Sequence, residues 1–443
     1  MKETITAFDP AADPRQTILN APMSPFQIKA ISASVALCVL DGFDVFAISF
    51  AAPELLKGWG IGKAQLGLAI SAGLFGMALG SLLLAPLADQ IGRRRMALTA
   101  LAIMILGTAW TASVNSLTML IASRLLTGLG VGAMISIILP MAAEYANARR
   151  RDLAVSLTTI GFPLGAIIGG FASSYLLSHY GWRSIFVVAT GLGILMFIVC
   201  ARILIEPVAL VIARPGSNRL ERVNSFLARC GLPAVRAIPA PPENRSVPIS
   251  RLFGPDMVGV TIHITLIYFL MVIPIYFMQS WLPTLIADLG IMPAKAALIS
   301  SFFSIGGVTS GLLVAMLAEK FGLRILLYVA LIGTFSMILA FSHAPPVVST
   351  LIIVSLTAGF FIQGSAPALY SVIARTFPAE MRASGTGLVV GIGRVGSALP
   401  PLIAGALAAG GFDRTTVAMV MAAPALIALA LLTRFVIRPP TTA

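Results

Sequence analysis

About twelve apolar stretches, each long enough to cross a bilayer as a helix, run along this chain with short polar turns between them. A helical span needs about 20 apolar residues. Within lipid every backbone N–H and C=O must be paired inside the chain, which leaves only helix bundles and closed barrels. Strand-period alternation is absent, so helices are expected. Composition agrees: 58% of residues are hydrophobic and 11% charged, against roughly 25% charged in soluble domains. The pattern predicts an all-α membrane protein with spans at 27–52, 64–88, 96–115, 117–144, 152–178, 183–205, 259–287, 296–319, 324–343, 347–375, 384–409 and 415–437.

The net charge of +13 reflects membrane orientation rather than a nucleic-acid partner, because the basic residues are segregated. Alternate connections hold Arg93 to Arg95, Arg149 to Arg151, the run from Arg214 to Arg251, then Lys320, Arg324, Arg375 and Arg382. The intervening connections hold only Lys57, Lys63, Arg183, Lys295 and Arg414. By the positive-inside rule both termini and the central loop are expected in the cytoplasm, in a multi-pass protein of the cell inner membrane. The first 25 residues carry Glu3, Asp9, Asp13 and Arg15 and lack a signal-peptide core, so no removable leader is expected. Cys38, Cys200 and Cys230 are too few and scattered for a disulfide framework or metal site.

The expected organisation is a cytoplasmic tail (1–26), a six-helix bundle (27–205), a cytoplasmic linker (206–258), a second six-helix bundle (259–437) and a short tail (438–443). The two bundles are related. Leu82 to Arg94 (LLLAPLADQIGRR) matches Leu312 to Arg324 (LLVAMLAEKFGLR) without a gap, each after the second span of its half. A repeated acid, Gly and Arg at corresponding places is the trace of a duplicated unit, and two parallel repeats imply a central site between them.

Leu87-Ala88-Asp89 followed by Gly92-Arg93-Arg94 resembles the loop signature of the major facilitator superfamily, and the resemblance covers the whole chain. Asp41-Gly42-Phe43-Asp44 in the first span, Ser280-Trp281-Leu282-Pro283-Thr284 in the seventh and Arg394 in the eleventh resemble the aromatic acid:proton symporter family within it. Ala85 departs from the usual Gly of the loop signature, and Gln90 stands where a basic residue is frequent. The resemblance implies two pseudo-symmetric six-helix bundles that rock around a central site, carrying a hydroxybenzoate- or benzoate-type acid with protons.

The residues support part of this without the resemblance. An ionisable group at membrane depth costs on the order of 3 kcal/mol even on lenient scales, so Asp41 and Asp44 are functional candidates. Three residues apart, they share a helix face, where desolvation and repulsion favour holding a proton. Arg124 reaches similar depth, roughly 10 Å into its span, and an Asp44–Arg124 pair is the least costly way to keep both charges. Followed by Gly128, Gly130 and Gly132, this Arg also resembles a superfamily motif associated with proton transfer. A structural ion pair is the alternative.

Arg394 lies near the bilayer midplane with no acid at comparable depth in its half. Its planar fork suits a substrate carboxylate, with a structural pair to a first-half Asp as the alternative. Trp281, after Tyr276 and Phe277, offers a ring face or, equally, an interfacial anchor. Phe43 and Gln363 are further substrate candidates by proximity to polar sites. Asp89, Arg93, Arg94, Glu144, Glu319 and Arg324 sit at cytoplasmic helix ends, where charge networks could latch the halves as a gate. Gly161, Gly165 and Gly169 favour close helix packing. Gly161 to Gly170 also resembles the superfamily's antiporter signature, with Ala166 in place of its proline, which keeps a proton-driven exporter of aromatic or drug-like compounds open.

The expected function is thus proton-coupled import of an aromatic carboxylate, with an aliphatic dicarboxylate or export as alternatives. No nucleophile, metal cluster or nucleotide loop is recognisable, so no enzyme is expected. The expected partners are the acid, protons and the bilayer, with the monomer as the working unit, H+ as the coupling ion and no cofactor.

Overall fold

A capping box starts the first span. Ser24 accepts a hydrogen bond from the backbone of Gln27, whose side chain accepts from the Ser24 N–H at 2.8 Å, and Pro25 occupies the first turn, where its missing N–H costs nothing. The helix then runs to Trp59 and ends at Gly60 in left-handed geometry. The computed structural model describes residues 13–214, 218–239, 249–378 and 381–435. Among them, 12 helices are long and apolar enough to cross a membrane. They are α1 (Pro25–Trp59), α2 (Lys63–Ile91), α3 (Arg93–Ser113), α4 (Leu117–Tyr145), α5 (Ala148–His179) and α6 (Arg183–Ile203) in the first half. The second half holds α7 (Val258–Ala287), α8 (Pro293–Phe321), α9 (Leu323–Ser342), α10 (Val348–Thr376), α11 (Ser384–Ala409) and α12 (Arg414–Arg434).

Every expected span is present, with two differences. The first helix extends past 52 through Pro53 to Trp59, because an internal proline removes a single hydrogen bond from an otherwise continuous apolar face. The eleventh is not one rod: its helix stops at Ser397 and restarts at Leu399, where Pro400 and Pro401 occupy the new first turn. The expected tail 438–443 and Arg245 of the linker lie outside the described residues.

The duplicated loop is visible in the backbone. Gly92 and Gly322 both adopt positive φ, 122° and 76°, and each opens the third helix of its half. A side chain is strained there, so glycine recurs at both turns. Within the first half the helices approach so closely that Cβ atoms are excluded. A Cβ on Gly42 of α1 would overlap the Phe162 carbonyl of α5, and one on Gly165 would overlap the Val39 carbonyl. Gly128 and Gly132 press α4 onto the Gly73 and Met77 carbonyls of α2, while Gly130 faces Ala100 of α3. Small residues let backbones meet in lipid, where the hydrophobic effect supplies no attraction between helices.

The linker is folded where it is described. Helices Val208–Ala213 and Arg219–Arg229 cover the first half from the side on which α1 begins and α12 ends, termed here the terminal side. Val223, Phe226 and Leu227 are buried, and Phe226 stacks on Tyr145 with centroids 6.1 Å apart. Between the halves, α2 packs on α11, α5 on α8 and α1 on α7. Close backbone contacts among these lie on the opposite, far side. Gly67 abuts the Pro401 carbonyl, Gly170 meets Ser301, and Lys63 pairs with Asp288 at 2.7 Å.

Candidate functional site

The first half buries three charged side chains at membrane depth: Asp41 (0% exposed), Asp44 (1%) and Arg124 (2%). Asp44 and Arg124 meet, with Oδ2 to Nη1 at 3.5 Å, and Arg124 Nη2 also donates to the Asp44 backbone carbonyl at 3.1 Å. The glycines of α4 make this possible, since they bring Arg124 close to α2, where it flanks Gly73. Thr108 of α3 donates to Asp44 Oδ1 at 2.7 Å, and the Arg124 guanidinium lies 5.8 Å from the Phe186 ring centre. Asp41, one turn away on α1, has neither carboxylate oxygen hydrogen-bonded to a described residue. A cavity of about 10 Å³ touches Asp44, Arg124, Thr127 and, from the second half, Ser280. That is close to the smallest space that holds one water.

The second half presents a different chemistry. Arg394 forms no ion pair with a described residue. Its Nη1 donates across the boundary between halves to Ser81 of α2 and to Ser136 of α4, the latter at 3.0 Å. The two serine hydroxyls are 3.4 Å apart, and each also contacts the Gly132 carbonyl. Ser81 lies in a π-helical turn, Gly80–Leu84, of a kind that recurs at functional sites. The half-buried guanidinium is therefore held by neutral oxygens alone, and a carboxylate would be a stronger partner.

Residues 35–285 and 264–443 match the sequence profile of the Major Facilitator Superfamily. The 4-hydroxybenzoate transporter PcaK of Pseudomonas aeruginosa is 33% identical over 423 residues, covering 94% of each chain. The gallate transporter of Pseudomonas putida is 30% identical over 404 residues, 90% of this chain and 89% of its own. The chain belongs to the major facilitator superfamily. Solved structures show the same fold. The partially occluded inward-open xylose transporter XylE of E. coli aligns with a TM-score of 0.71 at 16% identity, over 95% of this chain and 99% of its own. A bacterial homologue of the human lysosomal transporter Spinster aligns with a TM-score of 0.73 at 15% identity, over 93% and 97%. This is a multi-pass membrane transporter and not an enzyme.

In this conformation of the transporter the remaining candidates are engaged in packing or at helix ends. Trp281 is 3% exposed, wedged between α7 and α11, and its indole N–H donates to the Pro401 carbonyl at 3.2 Å. It braces the segment that abuts Gly67 and is buried between helices. Phe43 (4% exposed) fills the space over Gly169 of α5. Gln363 covers Gly307 and donates to the Phe303 carbonyl at 3.4 Å, joining α10 to α8.

The six gate candidates make no contact between halves in this conformation. Arg93 pairs with Glu144 and, at 3.6 Å, with Asp89, all in the first half. Arg94 donates to the Leu204 and Ala201 carbonyls, both at 2.7 Å, at the end of α6. Arg324, its counterpart in the repeat, donates to the Thr433 and Phe435 carbonyls at 3.0 and 2.9 Å, at the end of α12. Both arginines thus satisfy the free carbonyls of the last helix of their own half. Glu319 is exposed. Sequence gives a charge's depth but not which neighbour it meets, and a latch on the terminal side would be open in a conformation closed on the far side.

Several residues of the transporter's interior were not singled out from sequence: Thr108, Ser81, Ser136, Glu206 and the tyrosines Tyr268 and Tyr370. Glu206 accepts from the backbone N–H groups of Arg93 and Arg94 at 2.6 and 3.3 Å, placing a carboxylate on the N-terminus of α3. Single hydroxyls in apolar helices carry little sequence signal, since most bond to the carbonyl one turn back. Tyr370 had a signal of sorts, being a polar-tipped residue well inside a span.

Proposed function

We propose that the transporter imports an aromatic carboxylate together with protons by alternating access, with H+ as the coupling ion and the monomer as the working unit. The observation that carries the reading is the separation of charge. Among the described residues, the first half holds buried acids, one paired with Arg124 and one unpartnered, while the second half offers Arg394 to the interior with only hydroxyls as partners. In this reading Asp41 and Asp44 take the proton, Arg124 sets the charge balance of Asp44, and Arg394 receives the carboxylate. The relatives named for 4-hydroxybenzoate and gallate support an aromatic acid as the cargo.

With the terminal side assigned to the cytoplasm, the Lys63–Asp288 pair and the Gly67–Pro401 contact close the outer side, a conformation facing inward. The stretch Gly161 to Gly170 is taken up in packing against α1 and α8, which gives no support to export. A monoanion entering with one proton moves no net charge, so only the pH gradient drives it. Each additional proton adds about 2.3 kcal/mol per 100 mV of membrane potential.

The test is uptake of radiolabelled hydroxybenzoates, benzoate and aliphatic dicarboxylates into proteoliposomes under an inward proton gradient, with and without a protonophore. Accumulation of the aromatic acids that collapses with the protonophore supports symport. Proton-driven efflux, or uptake of dicarboxylates alone, overturns it.

A further inference from the structure

We propose that the hydroxyl pair of Tyr268 and Tyr370 reads a ring hydroxyl on the substrate, so that hydroxylated aromatic acids are preferred over the unsubstituted ring. The proposal rests on the reading of Arg394 as the carboxylate receptor.

Tyr268 on α7 and Tyr370 on α10 place their hydroxyl oxygens 2.9 Å apart, with ring centres 5.7 Å apart at 54°. The Tyr268 ring lies directly on Gly393, the residue before Arg394, where any Cβ would collide with it. The pair is therefore built against the helix that carries the guanidinium. Its two members differ in access, since Tyr268 is 6% exposed and Tyr370 43%. Tyr276, two turns beyond Tyr268 on α7, makes no side-chain hydrogen bond with a described residue. Ser280, one further turn along, reaches the small cavity at Asp44 and Arg124. One helix thus carries polar groups from the arginine to the buried acids.

When two phenols face each other, one donates and the other accepts, which leaves one O–H and several lone pairs for a third group. A phenolic substrate offers the matching set, one donor and an acceptor. With its carboxylate on Arg394, the ring would extend along α7 toward the tyrosine pair. A site whose polar groups are left unpaired by the wrong substrate discriminates by factors of 10⁴ or more. Here the tyrosines satisfy each other when no ring hydroxyl is present, so an unsubstituted acid is tolerated and the preference is milder. One hydrogen bond's worth, about tenfold, is the expected scale.

The experiment measures KM for 4-hydroxybenzoate and for benzoate in proteoliposomes containing the full chain, as wild type, Tyr370→Phe, Tyr268→Phe and Arg394→Ala. The ratio of the two KM values is read because it does not depend on the amount of folded protein. The expected result is an approximately tenfold preference for the hydroxylated acid that falls toward one in either Phe variant. Wild-type preference unchanged in both Phe variants, or KM values for the two acids rising together, would mean the tyrosines only pack α7 on α10. That outcome overturns this proposal and leaves aromatic acid import standing, provided Arg394→Ala raises both KM values. If wild type carries neither acid, the reading of the cargo fails and this proposal with it.

Discussion

The two halves descend from one repeated unit, yet their interiors hold opposite chemistry. Within its membrane spans the first half encloses two carboxylates and an arginine, and one of the carboxylates, Asp44, joins the arginine and Thr108 in a network. At comparable depth the second half has an arginine with no acid beside it and a group of tyrosine hydroxyls. What the duplication preserved is at the helix ends: the positive-φ glycines Gly92 and Gly322, and the arginines Arg94 and Arg324 that hold the carbonyls of α6 and α12. In the proposed symport, conserving the frame while changing the buried charge would let one fold serve a cation on one side of its boundary and an anion on the other.

The largest effect that would test this contrast is on stability. Arg124→Ala leaves Asp44 buried without its counter-charge, and breaking a buried pair by removing one partner costs about 3–5 kcal/mol. A marked fall in melting temperature of the detergent-purified protein is expected, with recovery in the double variant Asp44→Asn/Arg124→Gln, which folds but no longer accumulates substrate. Arg394→Ala should behave otherwise. It loses hydrogen bonds to neutral hydroxyls only, so its melting temperature moves little, while KM for the acid rises about 100-fold, the scale of one or two charge-assisted hydrogen bonds. If both arginine variants lost stability alike and Arg394→Ala kept its KM, the two halves would not differ as described.

Asp41 sharpens the contrast within the first half. Its carboxylate is buried without a hydrogen-bond partner among the described residues, so Asp41→Asn removes no contact seen there and adds a neutral isostere. Folding and melting temperature are expected to hold. Accumulation against a gradient should vanish while substrate exchange continues, as counterflow from preloaded vesicles would reveal. Loss of exchange as well would place Asp41 in substrate binding and blur the division.

Much of this was legible in the sequence, and the reason lies in what periodicity and depth encode. Twelve apolar lengths fix the spans, the segregation of arginines predicts a side, and counting residues from a helix end gives depth to within a turn. Depth brought Asp44 and Arg124 together correctly. It did not say which neighbours the gate candidates meet: in this conformation Arg94 and Arg324 turn toward the carbonyls of their own half. It was also silent on Ser81 and Ser136, since a serine in an apolar helix looks the same whether it bonds to its own backbone or accepts from an arginine in the other half. Rotation about the helix axis, not depth, separates these cases, and the nearly uniform hydrophobicity of buried spans erases that angle.

The smallest expected effect concerns the seal. Lys63 and Asp288 form an ion pair between halves on the far side, with side chains 37% and 39% exposed. Exposed pairs contribute about 0–1 kcal/mol, whereas the adjacent contact sets the backbone of α2 at Gly67 directly against Pro401, braced from behind by Trp281. Packing rather than charge should therefore hold the halves together there. Asp288→Asn is expected to change the uptake rate by less than about fivefold, with accessibility of cysteines introduced at the far-side ends of α1 and α7 rising only slightly. Raising the ionic strength should weaken the wild type toward the variant and no further, because screening removes the same interaction that the substitution removes. A much larger change from Asp288→Asn would mean that the far side is closed by a charge lock. The contrast between halves would then need a third element, an electrostatic switch placed on the boundary itself.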